Sequence, residues 1–148
     1  MILSRQQSIL RTVIRRGFPE LRVIKIALQL GVYDCWMFYE PAGRRQFLLG
    51  VDVSLASAPR RILEGGFAHE LAHIVRDSAY SAGQLELAFE RYRTSLAWRI
   101  REEREADLEA IRRGFGPQLL ALMGYARRRG YVSCREHGML PGEVYRLL

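Results

Sequence analysis

The spacing of apolar residues near the start of the chain predicts an amphipathic helix. Residues 3–16 carry apolar side chains at intervals of three to four, at Ile9, Leu10, Val13 and Ile14, which matches the helical period. Gly17 and Pro19 follow, and both residue types end helices. The chain is therefore expected to open with one helix of about four turns.

Three segments after this helix are predicted to be strands. Residues 21–28, 32–39 and 46–53 are rich in β-branched, aromatic and aliphatic side chains, which favour extended structure. Gly31 separates the first two segments, and Pro41-Ala42-Gly43 separates the last two. We expect a small three-stranded sheet in which the last two strands form a hairpin.

The remainder of the chain has a helical pattern. Ser57 is a candidate N-cap with Pro59 in the first turn, and this helix is expected to run to about Arg76. Its Gly65-Gly66 pair indicates either close packing or room near a ligand. A long helix is predicted over 84–113, ended by Gly114, with a further helix over 118–129 and an irregular segment to the end. The fold class is α+β, with strands and helices segregated along the chain.

Composition is consistent with one soluble globular domain spanning residues 1–148. The hydrophobic fraction is 49%, and no apolar run approaches the roughly 20 residues that cross a bilayer. Arginines interrupt the apolar residues at the start, unlike a secretory signal, and Cys35 and Cys134 form no disulfide framework. We therefore expect a cytoplasmic protein. The net charge of +7 permits nucleic-acid or membrane contact, but the arginines are scattered and select no partner.

Two short motifs carry the candidate chemistry. Residues 69–73 read His-Glu-Leu-Ala-His, which on a helix sets two imidazoles one turn apart with a carboxylate beside them. Residues 103–107 read Glu-Arg-Glu-Ala-Asp. Two histidines and one glutamate, with a fourth position open, form a common catalytic zinc site. His69, His73 and Glu103 are the candidate Zn²⁺ ligands, and Glu70 is the candidate general base.

The pattern of the long predicted helix selects Glu103 among its acidic neighbours. Apolar residues recur at helical intervals, and the same stripe continues onto two carboxylates: Leu85, Phe89, Tyr92, Leu96, Ile100, Glu103 and Asp107. Carboxylates on the inward face of a helix need a partner, a metal or a solvent-filled cleft. Asp77, after the first motif, is interpreted as a solvated residue at a helix end.

These motifs resemble those of the gluzincin metallopeptidases, with Glu-x-x-Ala-Asp most similar to the bacterial heat-shock endopeptidases and CAAX prenyl proteases. Because this chain shows no predicted membrane helix, it more closely resembles the single-domain minigluzincins. The resemblance implies a zincin-like fold and a zinc-dependent metalloendopeptidase acting on peptide or protein substrates. A related type found beside phage-like repressors carries asparagine after the alanine, so Asp107 favours the first group. The metzincin pattern is excluded, because Arg76 and Ala79 stand where it needs glycine and histidine.

The resemblance also implies supporting roles. Asp107 would form a hydrogen bond with the ring nitrogen of a ligand histidine that does not bind the metal, and so fix its tautomer. The alternative is a packing carboxylate paired with an arginine. Residues 46–54 would be the edge strand that binds substrate by β-augmentation. An oxyanion donor is expected without a motif to identify it, and Tyr125, Tyr131 and His137 are the candidates.

Two hypotheses remain open at this point. Residues 130–148 form a candidate regulatory or autoinhibitory tail, because Cys134, Glu136 and His137 could occupy the open zinc position, as in the latent forms of minigluzincins. A tail packed elsewhere is the alternative. The competing functional class is a non-enzymatic, zinc-stabilised basic domain, in which aromatics such as Tyr125 and Tyr131 beside arginines bind nucleic acid or a protein partner.

Overall fold

A computed structural model describes residues 1–131 and 137–148, and these form an α+β arrangement in the predicted order. The strands are β1 (Lys25–Gly31), β2 (Met37–Gly43) and β3 (Gln46–Asp52). The α-helices of the described residues are α1 (Ile2–Gly17), α2 (Arg60–Asp77), α3 (Ala82–Thr94), α4 (Leu96–Ala110), α5 (Gly116–Arg128) and α6 (Pro141–Arg146). Short 3-10 turns occupy Pro19–Val23 and Val53–Leu55, and a π turn occupies Ile111–Phe115. None of the described helices is both long enough and apolar enough to cross a bilayer.

The sheet has the order β1-β3-β2, so β3 is the central strand. It pairs in parallel with β1 and antiparallel with β2, which confirms the predicted hairpin. The expectation that residues 46–54 form an edge strand is wrong, because both sides of β3 are hydrogen-bonded. The first two strands also begin later than predicted: residues 19–23 form a 3-10 turn, and β2 continues through Pro41-Ala42-Gly43.

The core lies between one face of the sheet and helices α1 and α2. Phe47, Leu49 and Val51 alternate along β3 and are buried, as period-two side chains on one sheet face should be. From α2, the buried apolar side chains are Leu63, Phe67, Leu71 and Ile74. Each such side chain contributes about 1.5–3 kcal/mol through burial. This packing fixes the rotation of α2 and turns the side chains of the His-Glu-x-x-His motif toward α4.

The single long helix expected over 84–113 is instead two helices. Ser95 adopts an extended conformation between α3 and α4, and its side chain accepts a hydrogen bond from the backbone N–H of Trp98. A serine in this position is a favourable N-cap, and this signal competes with the apolar period. Glu103 and Asp107 remain one turn apart on α4, whereas Phe89 and Tyr92 belong to a separate helix.

The Gly65-Gly66 pair of α2 is explained by close packing. A Cβ atom at Gly65 would lie 2.5 Å from the backbone oxygen of Gln118 in α5. A Cβ atom at Gly66 would lie 2.6 Å from the sulfur of Met37 in β2. Real Cβ atoms do not approach that closely, so the two glycines allow α2 to contact a helix on one side and the sheet on the other. Helix α2 itself begins at Arg60 with Pro59 as N-cap, not at the expected Ser57.

Residues 137–148 contain more regular structure than predicted. Helix α6 buries Val144 completely, and Glu143 forms an ion pair with Arg104 of α4 at 3.0 Å. The described part of the predicted tail is therefore packed on the domain. Cys134 and Glu136 lie outside the described residues.

Candidate metal centre

Three side chains from the two motifs converge at the contact between α2 and α4. The Nε2 atoms of His69 and His73 are 3.3 Å apart. Glu103 approaches with one carboxylate oxygen 3.0 Å from Nε2 of His69 and the other 3.3 Å from Nε2 of His73. Within the described ranges, these residues form the only cluster of histidine, cysteine and carboxylate ligands that could hold a metal ion.

The donor atoms fit a zinc ion. With bonds of about 2.0–2.1 Å, the ligands of tetrahedral zinc are separated by roughly 3.3 Å. The two Nε2 atoms are 3.3 Å apart, in agreement with that edge length. The two oxygens of Glu103 lie 3.0 and 3.3 Å from one of these nitrogens each, and one donor atom from each residue lies within 4.8 Å of the others. Two imidazole nitrogens and a carboxylate also have the ligand chemistry that zinc prefers.

Asp107 contacts His69 from the side opposite Glu103. Its Oδ1 lies 2.7 Å from Nδ1 of His69, and its Oδ2 accepts a hydrogen bond from the backbone N–H of Met139 at 2.8 Å. An N–H at Nδ1 leaves the Nε2 lone pair of a neutral imidazole available for a metal. The alternative role, a packing carboxylate paired with an arginine, is not the arrangement observed among the described residues, since Asp107 bonds an imidazole and a backbone amide.

The charges of the cluster are strongly coupled. Burial alone would lower the pKa of His69, but Asp107 and Glu103 outweigh it and hold this pKa well above its ordinary value. Burial acts on Glu103 in the upward direction, yet the two histidines hold the pKa of this carboxyl well below its ordinary value. A metal ion would therefore enter a site with an anionic carboxylate and would displace a proton from His69.

Glu70 lies on α2 between the two histidines in sequence and is buried at the edge of the same cleft. Burial raises the pKa of Glu70, and the neighbouring His69 and His73 act against that rise. A carboxylate with a raised pKa is better suited to accepting a proton near neutral pH than an ordinary glutamate.

Two tyrosines contact the cluster, and the sequence did not identify either of them. Tyr92 of α3 donates its hydroxyl to Glu103 at 2.7 Å, and burial together with Glu103 raises the pKa of this phenol, so it remains protonated. Tyr39 of β2 stacks on the His73 ring with centroids 5.2 Å apart. Tyr92 was concealed by its place on an apolar stripe, where an aromatic ring is expected for packing alone.

Asp77 is not the solvated residue that the sequence suggested. It is buried and accepts a hydrogen bond of 2.7 Å from the hydroxyl of Tyr39. This bond fixes the ring that stacks on His73. Burial raises the pKa of Asp77, and the Tyr39 hydrogen bond opposes that effect. Asp77 is therefore a positioning residue that acts on His73 through Tyr39.

The cluster opens into a cleft of about 910 Å³ bounded by β2, α2, α3, α4 and α5. Of the three oxyanion candidates, Tyr131 and His137 line this cleft, whereas Tyr125 does not. Tyr125 is buried against Trp36, with ring centroids 5.6 Å apart. Among the described residues of the tail, Tyr131, His137 and Met139 reach the cleft wall.

Comparison with known proteins found no matching family model, no matching curated protein and no matching solved structure. A function for this chain must therefore be argued from the cluster and the cleft. The relevant features are the ligand set, the buried glutamate beside it and the strand edge that borders it.

Proposed function

We propose that this protein is a zinc-dependent metalloendopeptidase of the gluzincin type with a zincin-like fold, similar to the minigluzincins. The observation that carries this proposal is the convergence of His69, His73 and Glu103, whose donor atoms lie within 4.8 Å of one another, with Glu70 beside them in an open cleft. A purely structural zinc site would use four protein ligands and would need no adjacent buried base.

Each residue has a distinct task in peptide hydrolysis. A zinc ion held by the three ligands would supply Lewis-acid chemistry, polarising a peptide carbonyl and making water nucleophilic near neutral pH. Glu70 would accept the proton of the attacking water and deliver it to the leaving amine nitrogen. Asp107 would keep His69 in the binding tautomer. The Tyr92 hydroxyl, which donates a hydrogen bond to Glu103 in this structure, is a further protonated donor at the cleft. With Tyr131 and His137 it is a candidate to stabilise an oxyanion.

The proposed peptide-binding element is the outer edge of β2. The backbone N–H of Asp52 donates to the carbonyl of Trp36 at 2.9 Å, and the antiparallel ladder then alternates. The backbone groups of Met37 and Tyr39 are consequently turned away from β3, and both residues border the cleft. An extended peptide added at this edge would run past the metal cluster. This element replaces the expected 46–54 segment, whose hydrogen bonds are already made.

The deciding experiment separates catalysis from metal binding. Glu70→Gln should retain zinc but lose peptide cleavage by about 100- to 10,000-fold, the usual contribution of a general base. Glu105→Gln, on α4 and outside the cleft lining, is the matched control and should cleave like the wild type. A Glu70→Gln protein that cleaves peptides at the wild-type rate would contradict the proposal.

A second part of the proposal is that the tail, residues 130–148, obstructs the cleft. His137 and Met139 line the cleft, and Met139 is tied to Asp107. Truncation after Arg129 is unsuitable as a test, because it removes the buried Val144. His137→Ala should raise peptide cleavage if the tail obstructs the cleft and lower it if His137 stabilises the oxyanion, while Tyr145→Ala, an exposed change on α6, should do neither. Equal rates in both variants and the wild type would argue against latency.

The competing class, a zinc-stabilised basic domain, has one specific observation in its favour. The guanidinium groups of Arg91 and Arg101 both lie over the Trp98 ring, at 5.0 and 4.1 Å from its centroid. The tyrosines first considered for stacking are less suitable, since Tyr125 is buried and Tyr131 packs on Trp36 at 4.8 Å. Binding of single-stranded nucleic acid that weakens steeply with salt, together with unchanged binding by Glu70→Gln, would favour this class.

A further inference from the structure

The cleft beside the metal cluster is acidic, with one cationic exception. Among the described residues that line it, Arg99 of α4 is the only arginine or lysine. The same wall carries several carboxylates, including Asp77, Glu102 and Glu103. An arginine in such a place normally forms an ion pair with the nearest acid.

The acidic partners expected for Arg99 are engaged elsewhere. Residues three and four positions further along a helix face the same side, and here they are Glu102 and Glu103. Glu102 pairs with Arg76 of α2, and Glu103 contacts the two histidines and Tyr92. Neither carboxylate is therefore available as the principal acceptor for Arg99.

The guanidinium of Arg99 retains unused donor capacity. Its Nε is buried and has no hydrogen-bond acceptor within the part of the chain described. Its Cζ lies 5.8 Å from the centre of the Tyr92 ring, whose hydroxyl reaches the candidate ligand Glu103. By contrast, Arg76, Arg104 and Arg113 each form an ion pair. A buried donor without an acceptor leaves the guanidinium incompletely satisfied. Arg99 lines the cleft, so a ligand that enters it would approach the terminal NH₂ groups of this side chain.

We propose that Arg99 binds a carboxylate of the peptide substrate and thereby sets the cleavage preference. A guanidinium forms two parallel, charge-assisted hydrogen bonds with a carboxylate, which gives both affinity and direction. Arg99 precedes Glu103 by one helical turn, so the bound carboxylate lies within a few residues of the scissile bond. The carboxylate is either an aspartate or glutamate side chain, as an endopeptidase would bind, or the C-terminus of the peptide, in which case the enzyme removes short C-terminal fragments. This inference rests on the proposed peptidase function.

The test uses zinc-loaded protein and two synthetic peptide libraries that differ only in having a free or an amidated C-terminus, with products identified by mass spectrometry. Wild-type protein should cleave peptides carrying a carboxylate near the cut roughly 10- to 100-fold better than peptides with the matching amide, the usual contribution of charged hydrogen bonds. Loss of the preference on amidation identifies the C-terminal carboxylate as the source, and its persistence identifies a side chain.

Three variants separate charge recognition from structural effects. Arg99→Gln should remove the preference through a higher KM while cleaving neutral peptides within about threefold of the wild type. Arg99→Lys should restore part of it, and Arg101→Gln, an exposed arginine of the same helix, should leave it unchanged. A preference that is absent from the wild type, or that survives in Arg99→Gln, overturns this inference alone. Failure to cleave any library peptide overturns it together with the peptidase proposal.

Discussion

Replacing Asp107 with asparagine should weaken both the metal site and the attachment of the C-terminal segment. Asp107 is only 2% exposed and accepts from two N–H donors, at Nδ1 of His69 and at the backbone of Met139, at 2.7 and 2.8 Å. Asparagine has the same shape but offers one carbonyl oxygen and one NH₂ group. One of the two donors must therefore face another donor, whichever way the amide is turned.

The size of the effect follows from these two contacts. Loss of the partner that orients a ligand histidine typically weakens metal affinity by about 10- to 100-fold, which corresponds to about 1.4–2.7 kcal/mol. In the metal-free protein, a buried donor without its acceptor should lower the free energy of unfolding by about 1–3 kcal/mol. We expect both losses in Asp107→Asn and neither in Glu105→Gln, a neighbour on α4 that lies outside the cleft lining.

Two assays separate the losses. Zinc affinity is measured by competition with a chromophoric chelator, and stability by guanidinium unfolding of metal-free protein, followed by the fluorescence of Trp36 and Trp98. An Asp107→Asn protein that folds normally and binds zinc within twofold of the wild type would refute the assigned role of Asp107.

Three further predictions address packing and titration. Gly65→Ala should lower the free energy of unfolding by about 1–2 kcal/mol, because overpacking against a backbone oxygen exceeds the gain in helix propensity. Gly83→Ala, whose added Cβ would have no atom within 4 Å, should stabilise the protein. Equal effects of the two changes in chemical denaturation would contradict the close packing at Gly65. Arg113 lowers the pKa of Glu20, so the contribution of this carboxylate is present above its ordinary pKa and is lost as pH falls through the folded pKa. Glu20→Gln should destabilise by about 0.5 kcal/mol at pH 7, and unfolding at lower pH should show this difference from the wild type disappearing as the carboxylate of the folded protein is protonated. Because the pKa of His69 is raised, zinc binding at pH 7 should release about one proton and should weaken as pH falls. Titration calorimetry in two buffers of different ionisation enthalpy measures the number of protons released. A release of zero protons would exclude a protonated His69 in the metal-free protein.

The local features of the fold could be predicted well from the sequence. The α1 period and the β2–β3 hairpin depend on neighbours in the chain, which a sequence displays directly. The spacing of His69 and His73, and of Glu103 and Asp107, likewise depends only on helix geometry.

Features that depend on tertiary contacts could not be predicted in the same way. The position of β3 in the centre of the sheet results from its parallel pairing with β1, a contact between distant segments that no local pattern records. The capping signal of Ser95 was present in the sequence but was outweighed by an apolar period that continued across it. Tyr92 and Asp77 acquire their roles only when α3 and β2 meet the cluster of His69, His73 and Glu103.

The central claim is that His69, His73 and Glu103 form one zinc site, and metal content tests it most directly. Purified wild-type protein should contain about one zinc per chain by mass spectrometry after reconstitution. Glu103→Ala should contain far less, while Glu102→Ala, the adjacent glutamate that pairs with Arg76, should match the wild type. Wild-type protein without zinc, or equal zinc in Glu103→Ala, would contradict the account.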